Sequence, residues 1–355
     1  MVTIGDVAAH AGVGAATVSR VLNDSPKVSA PTRARVLEAI EVLDYRPSPL
    51  ARGLSLGRGH GFGVIVPFFT HASAVERLRG VVDVLTESPY DLVLFDIESP
   101  ERRDQVFAEM LRRDRADGLL VMSIPPAPGA LDRLAARGVP VVVVDVGGTN
   151  VSAVTSDDFG GGRIAARHLI ELGHQRIGFL GDAPDNPFGF TSSARREAGY
   201  VEELASARIR FDASLVRHGP HDRDIARALA TELLALDVPP TAIFASSDVQ
   251  ALGVMEAARD ASLTVPDQLS VIGYDDVELS AYAGLTTVRQ PLFESGRLGA
   301  RMLLDALAGK APAEPESHQL PIELVVRSTT GPPAATPTPT TKPTRQTRPT
   351  RRTNP

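Results

Sequence analysis

Arg20 carries the most chemistry of the first sixty residues. It lies in Ala15-Ala16-Thr17-Val18-Ser19-Arg20-Val21-Leu22-Asn23, a run whose helical spacing gathers Val18, Val21 and Leu22 on one face. The opposite face is then left with small residues and one guanidinium. A guanidinium can donate two parallel hydrogen bonds to guanine O6 and N7, and an alanine methyl can touch the methyl of thymine. Ala15 and Ala16 suit the second role. Thr3, Thr17, Ser19, Asn23 and Lys27 are short or cationic donors suited to phosphate oxygens. The competing reading is a small helical bundle with a solvated arginine.

Covalent chemistry finds little support elsewhere in the 355 residues. There is no Cys, hence no disulfide, no thiol nucleophile and no Cys-ligated metal. His168 and His174 are six apart, so they form no helical i, i+4 metal pair. Gly57, Gly59, Gly61 and Gly63 alternate before a strand, whereas a dinucleotide fingerprint follows one. Gly160-Gly161-Gly162 opens a helix after a strand, a place where an anion can sit, but it lacks the fingerprint spacing. No metal and no cofactor are expected, and the chain is read as a non-enzyme. Asp275 is different. It follows an apolar strand, at the carboxyl end where α/β folds bind ligands. Its alternative is capping the next turn.

These residues need elements to hold them. Thr3 and Asp6 have capping-box spacing, and Ile4, Val7, Ala8 and Ala11 share one helical face. Gly12-Val13-Gly14 breaks that helix. A second helix covers about 15–22. Ser29 caps a third, with Val36, Ile40 and Leu43 as its apolar face. Two short helices joined by a glycine turn, with a supporting third, make a helix-turn-helix. Tyr45-Arg46-Pro47 ends the third helix. Ser48 and Pro49 then start a two-turn segment that stops at Gly57. A helix that short does not persist alone in water, so it folds only against a partner. Its exposed Leu54 has the shape of a wedge for the minor groove, the alternative being a plain linker.

From residue 62 the pattern changes. Apolar runs at Phe62–Pro67, Leu92–Asp96, Gly118–Ser123, Val139–Asp145, Ala153–Ser156, Arg176–Gly181, Ala242–Ser246, Leu269–Gly273 and Thr286–Arg289 read as strands. Runs such as Val141–Val144 suit parallel strands covered on both faces. Helical periodicity falls between them at Val75–Thr86, Arg103–Arg115, Ala130–Arg137, Gly162–Leu172, Ser193–Ala207, Ile225–Leu236, Ala251–Ala261 and Glu294–Ala308. Alternating strands and helices predict an α/β fold of doubly wound parallel sheets. Some 270 residues favour two such subdomains.

Charge follows the same division. Residues 1–60 carry net +2, residues 61–330 net −13 and residues 331–355 net +5. An acidic body with basic ends places any polyanion at the ends. The last 25 residues hold seven Pro, eight Thr and five Arg or Lys, and are expected to be disordered. No apolar run approaches the roughly 18 residues of a membrane span, and no signal-like segment begins the chain. The expected compartment is the cytoplasm, with no membrane contact.

Thr3-Ile4-Gly5-Asp6-Val7-Ala8, Gly12-Val13, Thr17-Val18-Ser19-Arg20-Val21-Leu22-Asn23, Val28-Ser29, Thr32-Arg33 and Tyr45-Arg46-Pro47 together resemble the headpiece of the LacI/GalR family of bacterial transcription regulators. The likeness continues through Asp157-Asp158, Gly161-Gly162-Arg163, Leu172-Gly173-His174, Ser247-Asp248, Gly273-Tyr274-Asp275-Asp276 and Leu285-Thr286-Thr287-Val288, covering about residues 2–330. It implies a helix-turn-helix DNA-binding domain over 1–47 and a hinge helix and linker over 48–60, with Ala51 and Leu54 facing DNA. It further implies a periplasmic-binding-protein-like effector and dimerisation domain over 61–330, followed by the tail. The implied molecule is a homodimer on a near-palindromic double-stranded operator, most simply a repressor of carbohydrate-utilisation genes. Its two subdomains would close on a small effector, usually a sugar. The chain would cross between them near Asp157, Gln290 and Leu320.

The resemblance also nominates an effector site. Polyols are held by carboxylates and arginines with an aromatic face alongside. Asp275 and Arg196 fall where family members carry ligand-binding residues, while Asp276 and Arg195 read as structural and solvent-facing. Ser247 stands where the family often has Asn, and Asp248 is read as a helix cap. Phe69 and His71 lie in a loop shorter than the family's. Asp158, Phe159 and Phe190 complete the candidates, and Gln290 is ligand or hinge. An α/β enzyme with a helical appendage is the rival reading, without a phosphate loop or metal cluster to support it. A solute-binding protein is a third, but residues 1–45 occupy the place of its signal peptide.

Overall fold

The computed structural model describes residues 2–22, 25–45, 61–111, 116–146 and 150–334. The first unit is three helices, α1 (Ile4–Ala11), α2 (Ala15–Leu22) and α3 (Ala30–Val42). Thr3 and Asp6 form the expected capping box, with the Asp6 N–H donating to Thr3 Oγ1 and the Thr3 N–H to Asp6 Oδ2. Gly12 closes α1 at φ 63°, a left-handed conformation that glycine adopts without steric penalty. Val7, Val18, Val21, Val36, Ala39 and Tyr45 form the small core. Ser29 occupies the N-cap of α3 but makes no capping bond to the backbone. Its hydroxyl donates to Thr32 Oγ1 instead.

The body is two lobes, each a six-stranded sheet with helices on both faces. The first lobe contains β1 (Gly61–Pro67), α4 (Ala72–Leu85), β2 (Asp91–Ile97), α5 (Pro100–Met110), β3 (Gly118–Met122), α6 (Ala130–Ala135), β4 (Val141–Val144) and β5 (Ser152–Ser156). The second contains α7 (Asp158–Glu171), β6 (Ile177–Asp182), α8 (Ser192–Ser206), β7 (Val216–Gly219), α9 (Arg223–Leu234), β8 (Ala242–Ala245), α10 (Asp248–Asp260), β9 (Ser270–Asp275), α11 (Glu278–Tyr282) and β10 (Thr286–Arg289). The chain then returns to the first lobe for α12 (Leu292–Leu307) and β11 (Ser317–Leu320). It ends in the second with β12 (Glu323–Val325).

Strand order is β11-β5-β4-β3-β1-β2 in the first sheet and β12-β10-β9-β8-β6-β7 in the second. Every pairing is parallel except β10 with β12. The chain therefore crosses between lobes around Asp157, around Gln290 and just after Leu320, as expected. Each sheet buries both faces. One cluster centred on Ile97, Phe107, Val121 and Val143 and another on Phe62, Val64, Leu120 and Leu303 flank the first. Clusters around Ile243, Val254 and Val271, and around Phe179, Tyr200 and Phe244, flank the second. Both sheets switch winding direction beside their first strand, and α/β folds bind ligands at the carboxyl ends of strands at such points.

Candidate functional site

On α2 the inward residues Val18 and Val21 are buried, while Ala15, Ala16 and Arg20 are exposed and Thr17 and Ser19 half-buried. Lys27 and Thr3 are exposed too, although the Thr3 hydroxyl is occupied by Asp6 Oδ2 at 2.8 Å. The expected stripe of small residues plus one guanidinium is thus a free surface of the unit. Asn23, Ala51 and Leu54 lie outside the described residues.

Between the lobes lies a crevice enclosing a cavity of about 140 Å³. It is built from strand ends. Ser123 follows β3, Asp145 follows β4, Asp182 ends β6, Asp275 ends β9 and Gln290 follows β10. Of the nine effector candidates, His71, Phe190, Arg196, Asp275 and Gln290 line this cavity.

Arg196 is the centre of a buried cluster. Its Nε and Nη2 reach Asp158 Oδ1 at 2.9 and 2.8 Å, and its Nη1 donates to the Ser246 carbonyl at 2.6 Å. Its guanidinium lies 3.7 Å over the Tyr274 ring. Burial opposes the charge on Arg196, but Asp158 and Asp275 outweigh it and hold the group protonated. Asp158 is therefore the residue that fixes Arg196, itself buried behind the crevice wall. Burial raises its own pKa, against the pull of Arg196.

Asp275 takes φ 121°, a left-handed conformation that turns the chain sharply at the strand end. Its Oδ1 accepts from Gln290 Nε2 at 2.7 Å. Gln290 Oε1 lies 3.5 Å from Arg77 Nη2, which donates to Asp145 Oδ2 at 2.9 Å. Ser123 completes the chain by donating to the same oxygen at 3.2 Å. Gln290 is thus both crossover and bridge. Burial pushes the Asp275 carboxyl up, opposed by Arg196 and His221.

Aromatic rings flank these groups. Phe190 stacks on Phe188 at 5.1 Å, and Phe68 stacks on His71 at 5.1 Å. His71, from the first lobe, then stacks on His221, from the second, at 5.4 Å. His221 Nδ1 sits 3.4 Å from Asp182 Oδ1. Burial disfavours the His221 cation, yet the Asp182 carboxylate raises its pKa overall, whereas burial and His221 lower that of His71.

Three candidates stand elsewhere. Phe69 is exposed and lies in a separate groove with Val75, Leu78, Val82 and Phe293. The left-handed turn at Phe68 (φ 45°) sends the two phenylalanines opposite ways, so Phe68 takes the crevice position. Phe159 is half-buried, and its carbonyl packs against Gly199 instead of the cavity. Ser247 caps α10 by accepting from the Gln250 N–H at 3.2 Å. Its neighbour Asp248, expected to be the cap, is instead the first residue of α10. It clamps the turn after β9 through the Val277 N–H, Ser280 and Thr287. Burial and nearby Asp275 push the Asp248 carboxyl up to about 7. Asp276 is structural, paired with Arg289 and Arg327, and Arg195 is exposed, both as expected.

Phe68, Arg77, Ser123, Asp145, Asp182 and His221 were not singled out as site residues from the sequence. Asp145 and Asp182 end apolar runs just as Asp275 does, so the same signal marks them. Arg77 is a charge on the buried stripe of α4 between Ala74 and Val81. His221 has no local signal. It reaches the crevice only because β7, a short edge strand with Arg217 and His218 in it, delivers the following loop there.

Among the described residues no group of three or more His, Asp or Glu could hold a metal ion. No described helix is long and apolar enough to cross a membrane.

Comparison with known proteins covers both units. Residues 3–48 match the model for "Bacterial regulatory proteins, lacI family", and residues 166–330 match that for a periplasmic binding protein-like domain. The chain is 32% identical over 335 residues to the HTH-type transcriptional repressor PurR of Haemophilus influenzae, covering 93% of this chain and 98% of that protein. Among solved structures it is similar to the transcriptional regulator CelR in complex with cellobiose, at 32% identity and TM-score 0.68 over 93% of this chain and 100% of that one. It is also similar to the lac repressor dimer bound to operator and the anti-inducer ONPF, at 29% identity and TM-score 0.79 over 93% and 99%.

Proposed function

The chain belongs to the lacI family of bacterial regulatory proteins and is a DNA-binding transcriptional regulator, and from that premise we propose that it represses carbohydrate-utilisation genes under control of a sugar bound between its lobes. The proposal divides the chain into a DNA-binding domain over 1–47, a hinge over 48–60, an effector and dimerisation domain over 61–330, and a tail. It acts in the cytoplasm, on DNA, and is not an enzyme.

The observation that carries the effector half is the state of three carboxylates. Asp145, Asp182 and Asp275 each bond the protein through one oxygen, and among the described residues the second oxygen of each has no hydrogen-bond partner. Three open acceptors beside Phe68, His71 and Phe190 suit a ligand with several hydroxyls and an apolar ring face. Asp275, Arg196, Gln290, His71 and Phe190 are the assigned effector residues, with Asp158 positioning Arg196. The solved relative bound to cellobiose supports the same class.

DNA recognition is assigned to Thr3, Ala15, Ala16, Thr17, Ser19, Arg20, Asn23 and Lys27, joined by Ala51 and Leu54. A homodimer presents two such surfaces to a near-palindromic operator, its half-sites spaced by the protein's own symmetry. The outer face of α4 supplies a surface for the dimer. Phe69, Val75, Leu78, Val82 and Phe293 line a groove of about 430 Å³ there. The lac repressor relative is a dimer on operator. An effector that prefers one arrangement of the lobes shifts operator affinity by its difference in affinity for the two.

Selection of genomic fragments with purified protein, followed by sequencing, tests the whole reading. A palindrome beside transport or glycosidase genes is expected. Sequence-indifferent, salt-sensitive recovery would refute it. With that operator in hand, Arg20→Ala should weaken binding by about 1–3 kcal/mol and relax selectivity at a single base pair per half-site. A uniform loss across all operator variants would move Arg20 to the phosphates.

A further inference from the structure

We propose that Arg77 is an effector-recognition residue whose unused N–H donors take a neutral oxygen, a hydroxyl or ring oxygen, of the sugar. The proposal rests on the sugar reading above and deepens it.

Arg77 is 4% exposed and lines the crevice from the first lobe. A guanidinium brings five N–H donors. Among the described residues only Nη2 is engaged, with Asp145 and at long range with Gln290. Nε is buried and has no hydrogen-bond partner among the described residues. Arg196, across the crevice, is the contrast. All three of its nitrogens are held, by Asp158 and the Ser246 carbonyl. The two arginines of one cavity therefore differ: every nitrogen of Arg196 has a partner, whereas Nη2 alone of the three in Arg77 does. Buried polar groups are nearly always hydrogen bonded, because leaving one unpaired forfeits its hydration without return. Arg77 lines the cavity, so a ligand seated there is the group able to supply its spare donors with an acceptor.

The surroundings choose the kind of acceptor. Asp145, Asp182 and Asp275 face the same cavity, so an anionic group drawn to Arg77 would meet carboxylates. A neutral oxygen would not. Neighbouring hydroxyls also donate, and so can satisfy Arg77 while giving a proton to the open oxygen of Asp145, its ion-pair partner. Arg77 and Asp145 together then read the pattern of hydroxyls from the first lobe, as Asp275 does from the second.

The test uses the full chain. A thermal-shift panel of cellobiose, ribose, galactose, glucose and their uronates identifies a binder. Calorimetric titration then measures that sugar and its monodeoxy analogues on wild type and on Arg77→Lys. Lysine keeps a positive charge opposite Asp145 but lacks Nε and the planar fork. Should Arg77→Lys melt lower than wild type without ligand, the double variant R77M/D145N replaces it, removing the pair without stranding a charge. The expected result is about a tenfold or greater loss of affinity in the variant. One monodeoxy analogue should lose a similar factor on wild type and nothing further on the variant, a coupling that a purely structural arginine would not produce. Unchanged affinity, or equal losses for every analogue in both proteins, overturns the role of Arg77 and leaves the sugar reading intact. A uronate that binds more tightly than its neutral sugar overturns the neutral acceptor. If no panel ligand shifts wild type, the sugar reading falls and Arg77 falls with it.

Discussion

Single side chains in the crevice owe their places to charge pairing under burial. Asp158 and Arg196 are each about 8% exposed as side chains, and neither has water to fall back on. Such a pair contributes little when intact, because desolvation cancels much of the attraction. Breaking it is another matter. Asp158→Asn leaves Arg196 charged and buried, with Asp275 at 4.0 Å as the carboxylate left to pair it. The expected loss of stability is roughly 3–5 kcal/mol, read from urea unfolding. Removing both charges as D158N/R196M should recover much of it, while abolishing effector binding. A single variant no less stable than wild type would show that the cluster is more hydrated than its burial says. The sequence announced Arg196 and Asp275 through their neighbours in chain, but it could not announce that Asp158 serves Arg196. Thirty-eight residues separate the two, and only the packing of α7 on α8 brings them together.

That packing belongs to the scale of elements, and glycine sets it. Gly162 on α7 meets the backbone of Arg196, and Gly199 on α8 meets the carbonyl of Phe159, each so closely that a Cβ would overlap backbone atoms. Helix propensity alone favours Ala over Gly by about 1 kcal/mol. At Gly199 the clash wins, because backbone cannot step aside as a flexible side chain can. Gly199→Ala should therefore destabilise the body by about 1–3 kcal/mol, whereas Gly5→Ala in α1, where a Cβ meets only Thr3 Oγ1 at 3.4 Å, should stabilise the headpiece slightly. Calorimetric melting of both variants checks the contrast, and a gain at Gly199 would deny the close approach. The same contacts explain what the sequence could not show. In sequence Gly160-Gly161-Gly162 opens a helix whose periodicity starts at Gly162, yet α7 begins at Asp158 and all three lie within it. The reading placed several helix starts two to four residues late, as at α4, α7 and α10, because their first turns are polar or small and periodicity begins only after them. Strands with continuous apolar runs were legible. β7, β11 and β12 were not, since they are short edge strands of mixed residues that acquire their pairing from the sheet. The crevice was half legible for the same reason. Residues at the ends of apolar strands can be seen in sequence, and those delivered by edge strands and turns cannot.

At the scale of the molecule, the chain's last described segment is tied to the sheet of the second lobe. His174, buried and uncharged, bonds Thr241 Oγ1 at 2.9 Å through one nitrogen and the Gly331 carbonyl at 2.9 Å through the other. Ser270 holds the same glycine through both its N–H and its carbonyl. The basic tail as read from composition began at residue 331, but Gly331 belongs to the body by its contacts. Truncation after Ala334 should leave melting temperature and operator selectivity unchanged. Truncation after Thr330 should lower the melting temperature, since it strips His174 of an acceptor in a buried place. The pH dependence follows from the same contact. Burial lowers the pKa of His174 below the usual imidazole value, against the pull of the Gly331 carbonyl. The unfolded chain then binds a proton that the folded chain refuses, so His174 draws stability away as pH falls through about 6.5. His221 acts with opposite sign, its raised pKa adding stability that is lost as pH rises through the folded value. Asp248, pushed up to about 7, likewise favours the folded state on the acid side. Bulk melting curves mix these signs, and only a difference isolates one group. His174→Gln should lower the melting temperature at pH 8, where the neutral ring makes both its bonds. The gap to wild type should narrow steadily between pH 7 and pH 5, as wild type begins to lose what the variant never had. A gap that widens as pH falls over that range would mean that His174 is charged in the folded chain, with the Gly331 carbonyl as the acceptor that holds its proton, and a constant gap that it titrates alike folded and unfolded.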